Sequence, residues 1–180
     1  MDKQTEVAAA EMKAAWVPQR SLAAYTLAAT LPLVIMSAIL LFVPAGSTFL
    51  AGIALVGSLV NLAAFLVLLY ETTFDIAGYP DYKLPVWSVF YLVTYLIVGF
   101  TFLIYAIHTM NPGDAFAGIS SKPKVALLDS LYLSLCNYVG IPADSSFTLK
   151  TQGSRFICVG QGFLSMFLNI VIITKFVSSL

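Results

Sequence analysis

Charge is scarce in this chain. Lysine and arginine number 9, aspartate and glutamate 9, and together they make up only 10% of 180 residues, with a formal net charge of zero. A nucleic-acid partner would want a basic face, so none is expected. Histidine occurs once, as His108, and cysteine twice, as Cys136 and Cys158. So few ligating side chains give no metal-ligand spacing, and no phosphate loop or nucleophile motif accompanies them. An enzyme is therefore the least expected class, and no cofactor is expected. The two cysteines read as small buried side chains, with a disulfide or metal pair as the lesser alternative.

What fills the chain instead is apolar, at 59% hydrophobic residues. Four runs approach or exceed the roughly 20 residues that cross a bilayer. The expected class is a polytopic helical membrane protein with a membrane-lipid partner. Residues 1–21 mix acids and bases ahead of the first run, unlike a cleaved signal. They form either an interfacial helix, with Trp16 at the headgroups, or a tail.

The first span is expected at 22–43, with Pro32 as a kink. The second, 48–70, follows a turn at Pro44-Ala-Gly-Ser47. Gly52, Gly57, Ala51, Ala54 and Ser58 offer small surfaces for a neighbouring helix. Asn61 reads as an interhelical hydrogen bond, with a transport role as the alternative. Neither span carries an internal lysine or arginine, which excludes a voltage sensor. A polar connector covers 71–84, with a turn at Gly78-Tyr79-Pro80-Asp81. The third span, 85–109, is rich in aromatics and ends near His108. That histidine reads as an interfacial side chain or a pH sensor.

The stretch 121–144, SKPKVALLDSLYLSLCNYVGIPAD, is apolar at helical spacing but too short to cross. A helix over 123–137 would reach roughly 21 Å at 1.5 Å per residue, against a hydrocarbon core of about 30 Å. Pro123 marks its start, capped by Ser120 or Ser121, while Gly140 and Pro142 stop it. Asp129, Ser130, Ser134 and Asn137 fit a re-entrant helix packed in protein or lining water. Such a helix points a partial negative charge inward, and an extended return would offer carbonyl oxygens to a cation. The last span, 156–177, places Gln161, Ser165 and Asn169 four residues apart, with Ile172 and Phe176 on the same face. This stripe either lines a pore or bonds to packed helices. Gly160 and Gly162 supply a bending point or close packing.

Asp129-Ser-Leu-Tyr-Leu-Ser134, Val139-Gly140, Asp144, the Gly153-Ser154-Arg155 turn and the final apolar helix together resemble the pore domain of potassium-channel-like, pore-loop cation channels. The resemblance implies an all-α membrane protein of four transmembrane helices, plus a re-entrant pore helix and filter loop between the third and fourth. Residues 22–70 would be two accessory helices. Residues 85–180 would be the pore domain: outer helix 85–109, pore helix 123–137, filter 138–144 and inner helix 156–177. The implied selectivity filter comprises Asn137, Tyr138, Val139, Gly140, Ile141, Pro142 and Asp144, with a monovalent cation, potassium or sodium, at the carbonyls of Val139 and Gly140. The implied pore lining is Gln161, Ser165, Asn169, Ile172 and Phe176, and the hinge is Gly160 and Gly162. A homotetramer in the cell membrane with both termini cytoplasmic follows from the same likeness. Charge bias hardly orients the chain, with five bases on one side and four on the other.

The family's filter reads Thr-Val-Gly-Tyr-Gly-Asp. Here Tyr138 replaces the threonine, Pro142 replaces the second glycine, and one more residue precedes Asp144. Proline is fixed near −65° where a glycine could take positive φ, so strict potassium selectivity is not expected. The expectation is an oligomeric, weakly selective monovalent cation channel. The alternative is a non-conducting scaffold or auxiliary subunit that keeps the fold. A transporter with a broken helix is disfavoured because no internal repeat is seen.

Overall fold

The computed structural model describes Leu31, Ile35 and residues 48–70 and 86–177. The N-terminal segment, the first expected span apart from those two residues, and the connector lie outside this set. Among the described residues there are four helices and one pair of short strands. They are α1 (Thr48–Tyr70), α2 (Val86–Met110), β1 (Phe116–Ala117), α3 (Pro123–Val139), β2 (Thr148–Leu149) and α4 (Gln152–Val177). Three of the helices are long and apolar enough to cross a membrane, over Thr48–Tyr70, Val89–Met110 and Gln152–Thr174. They mark the chain as an integral membrane protein. A long apolar segment in lipid must satisfy its own backbone, and a helix does so internally.

Helix α2 is the centre of the fold and packs against α1, α3 and α4. Its contact with α1 follows one face, Ala51, Ala54, Ser58, Asn61, Phe65 and Leu68, all buried. The upper part of that face is small, which lets the two backbones approach. Gly52 instead meets nothing within 4 Å, so the expected close contact there belongs to Ala51 and Ala54. Near the middle of both helices Tyr95 donates its hydroxyl proton to Asn61 Oδ1. The Tyr95 ring stacks on Phe65, with centroids 5.6 Å apart. Gly99 leaves the room Asn61 needs, since a Cβ there would lie 3.1 Å from Asn61 Nδ2. Asn61 is thus an interhelical hydrogen-bonding residue.

Strands β1 and β2 pair antiparallel, Phe116 opposite Leu149 and Ala117 opposite Thr148. The pair ties the segment that enters α3 to the segment that leaves it. Gly118, at φ +90°, makes this closure possible. A Cβ at Gly118 would fall 2.3 Å from the Ser146 carbonyl oxygen, so only glycine fits. Below the strands, the Tyr132 and Phe147 rings meet at 5.6 Å, holding the returning chain against α3.

Candidate functional site

Helix α3 begins at Pro123, whose ring suits the first helical position. Its N-cap is Lys122, in extended conformation and without a side-chain cap. Ser120, expected as a cap along with Ser121, instead accepts the Lys122 N–H at its Oγ, at 3.2 Å. Asp129 accepts the Ser120 N–H at 2.8 Å.

The helix runs to Val139, two residues beyond the expected Asn137. Asn137, Tyr138 and Val139 therefore belong to its last turn rather than to an extended filter. The reason is the cap. Gly140 takes the left-handed conformation at φ 75°, which glycine adopts without the penalty of a Cβ. Both Gly140 N–H and Ile141 N–H then donate to Cys136 O. Only from Ile141 to Asp144 is the backbone irregular and non-helical. At 17 residues, α3 is roughly 26 Å long.

Four side chains fix where the end of α3 lies. Ser134 Oγ donates to Ile97 O at 2.8 Å, and Ile97 sits within a residue of the middle of α2. Gln161 Nε2 donates to Ser134 O at 2.9 Å and to Ser134 Oγ at 2.7 Å. Asn137 Nδ2 donates to Gln161 Oε1 at 3.3 Å. Tyr138 OH donates to Asn169 Oδ1 at 2.9 Å. Gln161 and Asn169 flank the middle of the 26-residue α4. The tip of α3 is thus bonded to the central portions of two span-length helices.

This network settles how much of the α4 stripe faces inward. Gln161 is 0% and Ser165 3% exposed, and Ser165 Oγ donates to Gln161 O at 2.8 Å. Both are buried within the single chain, and Gln161 makes the interhelical bonds that the sequence offered as the alternative to lining a pore. A polar side chain buried in an apolar bundle is held where its partners are; those of Gln161 sit on α3, whereas Ser165 bonds back to its own helix. Asn169 is exposed apart from its bond to Tyr138, and Ile172 is half-buried. The Phe176 and Lys175 side chains lie outside the described residues. Helix α4 passes through Gly160 and Gly162 unbroken, and neither glycine has a neighbour within 4 Å of a would-be Cβ.

Asp144 is exposed, and its carboxylate accepts Ser145 Oγ and Ser146 N–H, each at 3.2 Å. It stands in the turn that leads back to β2. The remaining expected filter residues, Val139, Gly140, Ile141 and Pro142, are all exposed. Cys158 is buried, Cys136 half-buried, and both are free thiols. Ser134, the hub of the network, was not singled out as a site residue. Its signal in the sequence is faint: Ser130 and Ser134 lie one turn apart in an apolar helix. Ser130 turns to its own helix, donating to Ala126 O at 2.7 Å. No protein-family model, curated protein or solved structure matches this chain.

Proposed function

We propose that the chain is the subunit of an oligomeric, weakly selective channel for monovalent cations, with potassium or sodium as the permeant ion. The observation that carries this reading is where the α3 tip is bonded along the long helices. Its bonds to Ile97, Gln161 and Asn169 put it level with the middle of helices long enough to cross a bilayer. Residues 141–147 then lead back to β2, beside the strand from which α3 set out. A helix entering partway and returning as irregular backbone is tolerated at membrane depth only within protein or against water.

The electrostatics favour a cation at that tip. The final turn of a helix leaves carbonyls without donors and carries a partial negative charge. Here Cys136 O is satisfied by two N–H groups, and the carbonyls of Asn137, Tyr138 and Val139 follow it. Several copies around an axis would gather such ends, with Asp144 raising the local cation concentration at the mouth. The outward face of α4, Phe156, Val159, Phe163, Met166, Ile170 and Ile173, is apolar and exposed in the single chain. It suits lipid or neighbouring copies; four copies are the expected number, with both termini cytoplasmic.

A second reading, a non-conducting scaffold or auxiliary subunit, is favoured by one observation. Gln161 and Ser165 are spent on intrachain bonds, leaving the α4 stripe little free polarity. Reconstitution in liposomes separates the two. The channel reading expects cation flux, and a lower single-channel conductance at low salt for Asp144→Asn. A well-folded oligomer without flux would refute it in favour of the scaffold.

A further inference from the structure

His108 is the single histidine of the chain, which the sequence reads as either an interfacial side chain or a pH sensor. It is 4% exposed near the end of α2. Its Nε2 lies 3.1 Å from the Ser120 carbonyl oxygen. A carbonyl can only accept, so Nε2 carries the hydrogen and Nδ1 is the bare lone pair. Nδ1 is buried and has no hydrogen-bond partner, where buried polar atoms nearly always have one. A cavity of about 40 Å³ lies against the ring, lined also by Tyr105, Thr109, Pro112, Ser121 and Pro123. A water needs roughly 10–15 Å³ of such space, so a small proton donor can reach the ring.

Ser120 is the link to the rest of the fold. Its carbonyl binds His108 on α2, and its N–H binds Asp129 on α3 at 2.8 Å. One residue therefore fastens the loop 111–122 to both helices.

We propose that His108 is a proton-operated catch on this loop. With the ring neutral, Nε2–H grips Ser120 and holds the loop against α2. A proton taken from solution at Nδ1 makes the buried ring a cation with no partner there, and the loop releases to let it hydrate. Burying a charge costs heavily unless it is paired. Asp129 is the acid facing the ring from α3, and its carboxylate is held by the Ser120 amide rather than by the imidazole. From the loop, Asp114 and Lys122 are the charged residues. Lys122 is exposed, Asp114 lies outside the cavity lining, and Tyr105 is the titratable neighbour on α2. The inference does not rest on ion conduction.

The test uses the full chain in lipid nanodiscs with ¹⁵N-labelled histidine, which gives one imidazole to follow. Ring protonation is compared with amide protection at Ser120 and Asp114, corrected for intrinsic exchange, between about pH 7.5 and 5. The expected result is an Nε2–H tautomer at the upper end. Protection should then fall about tenfold with the same midpoint as the ring. His108→Gln, which has a donor but no titration, should hold protection flat. Asp129→Asn should keep the histidine-linked fall. A ring that titrates without a change in protection, a ring that stays neutral throughout, or the same fall in H108Q would each overturn the catch. If H108Q does not fold, agreement or disagreement of the two midpoints in the parent decides.

Discussion

Replacing Gln161 with leucine removes the α4 side chain that bonds to α3. Lost are the bonds to Ser134 O and Oγ, at 2.9 and 2.7 Å, and the acceptor for Asn137 Nδ2, at 3.3 Å. Ser134 Oγ keeps its bond to Ile97 O, so the damage is partial. At about 0.5–1.5 kcal/mol for each net bond, the loss is roughly 1–3 kcal/mol, since the longest bond contributes least. That corresponds to a melting point lower by roughly 3–10 °C for a chain of this size. Leucine is also more apolar, and its gain in packing offsets part of this. A double-mutant cycle with Ser134→Ala removes that ambiguity, because the packing gain cancels. Interhelical bonds in membranes give coupling of about 0.6 kcal/mol, and up to about 1.7. Thermal unfolding of the four proteins in detergent should return a coupling in that range. A coupling near zero would mean that Gln161 does not face α3, and the depth assigned to its tip would lose its main support.

Gly118→Ala should be among the most damaging single changes in the loop. It meets the Ser146 carbonyl at 2.3 Å and must also adopt φ +90°. Gly113→Ala, at φ +80° in open space, should cost only about 1 kcal/mol. Equal melting points for the two would contradict the β1–β2 closure. Gly99→Ala should displace the Asn61 amide and weaken α1–α2 packing, with Tyr95→Phe lowering the melting point through the same contact. Additive losses in the double variant would show that the two do not share it. Tyr138→Phe should loosen the α3 tip from α4, seen as faster amide exchange at Gly140 and Ile141; unchanged exchange would remove Tyr138 from the site.

Length and composition made α1 and α2 legible, whereas α4 begins at Gln152, four residues before the expected start at 156, and takes the expected Gly153-Ser154-Arg155 turn into its first turns. Residues 48–70 carry no charge, and α1 has those bounds; α2 differs from its expected range by one residue at each end. Pro123 announced the start of α3, and Gly140 its end, because each residue imposes a backbone geometry by itself. The end was expected at Asn137, with Gly140 and then Pro142 as the stop. The glycine cap two residues before it lets the helix finish a full turn. Periodicity put Gln161, Ser165 and Asn169 on one face but could not tell what stands opposite. Helical spacing orders residues within an element and is silent about its neighbours. The partner, Ser134, lies 27 positions away in sequence. Burial of His108 was likewise illegible, since it depends on a loop folding back through Ser120. A two-residue strand pair leaves no pattern to read at all.

Depth is the quantity on which the whole reading turns. Spin labels placed singly at Val125, Leu128, Tyr132, Leu135 and Val139 occupy the exposed face of α3 and can be ranked by collision with oxygen against a polar nickel reagent in bilayers. The account predicts labels near the interface at Val125 and steadily deeper ones toward Val139, ending level with a label at Ile170. Five labels at one shallow depth would show α3 lying along the headgroups, and no ion path could then be built on its tip.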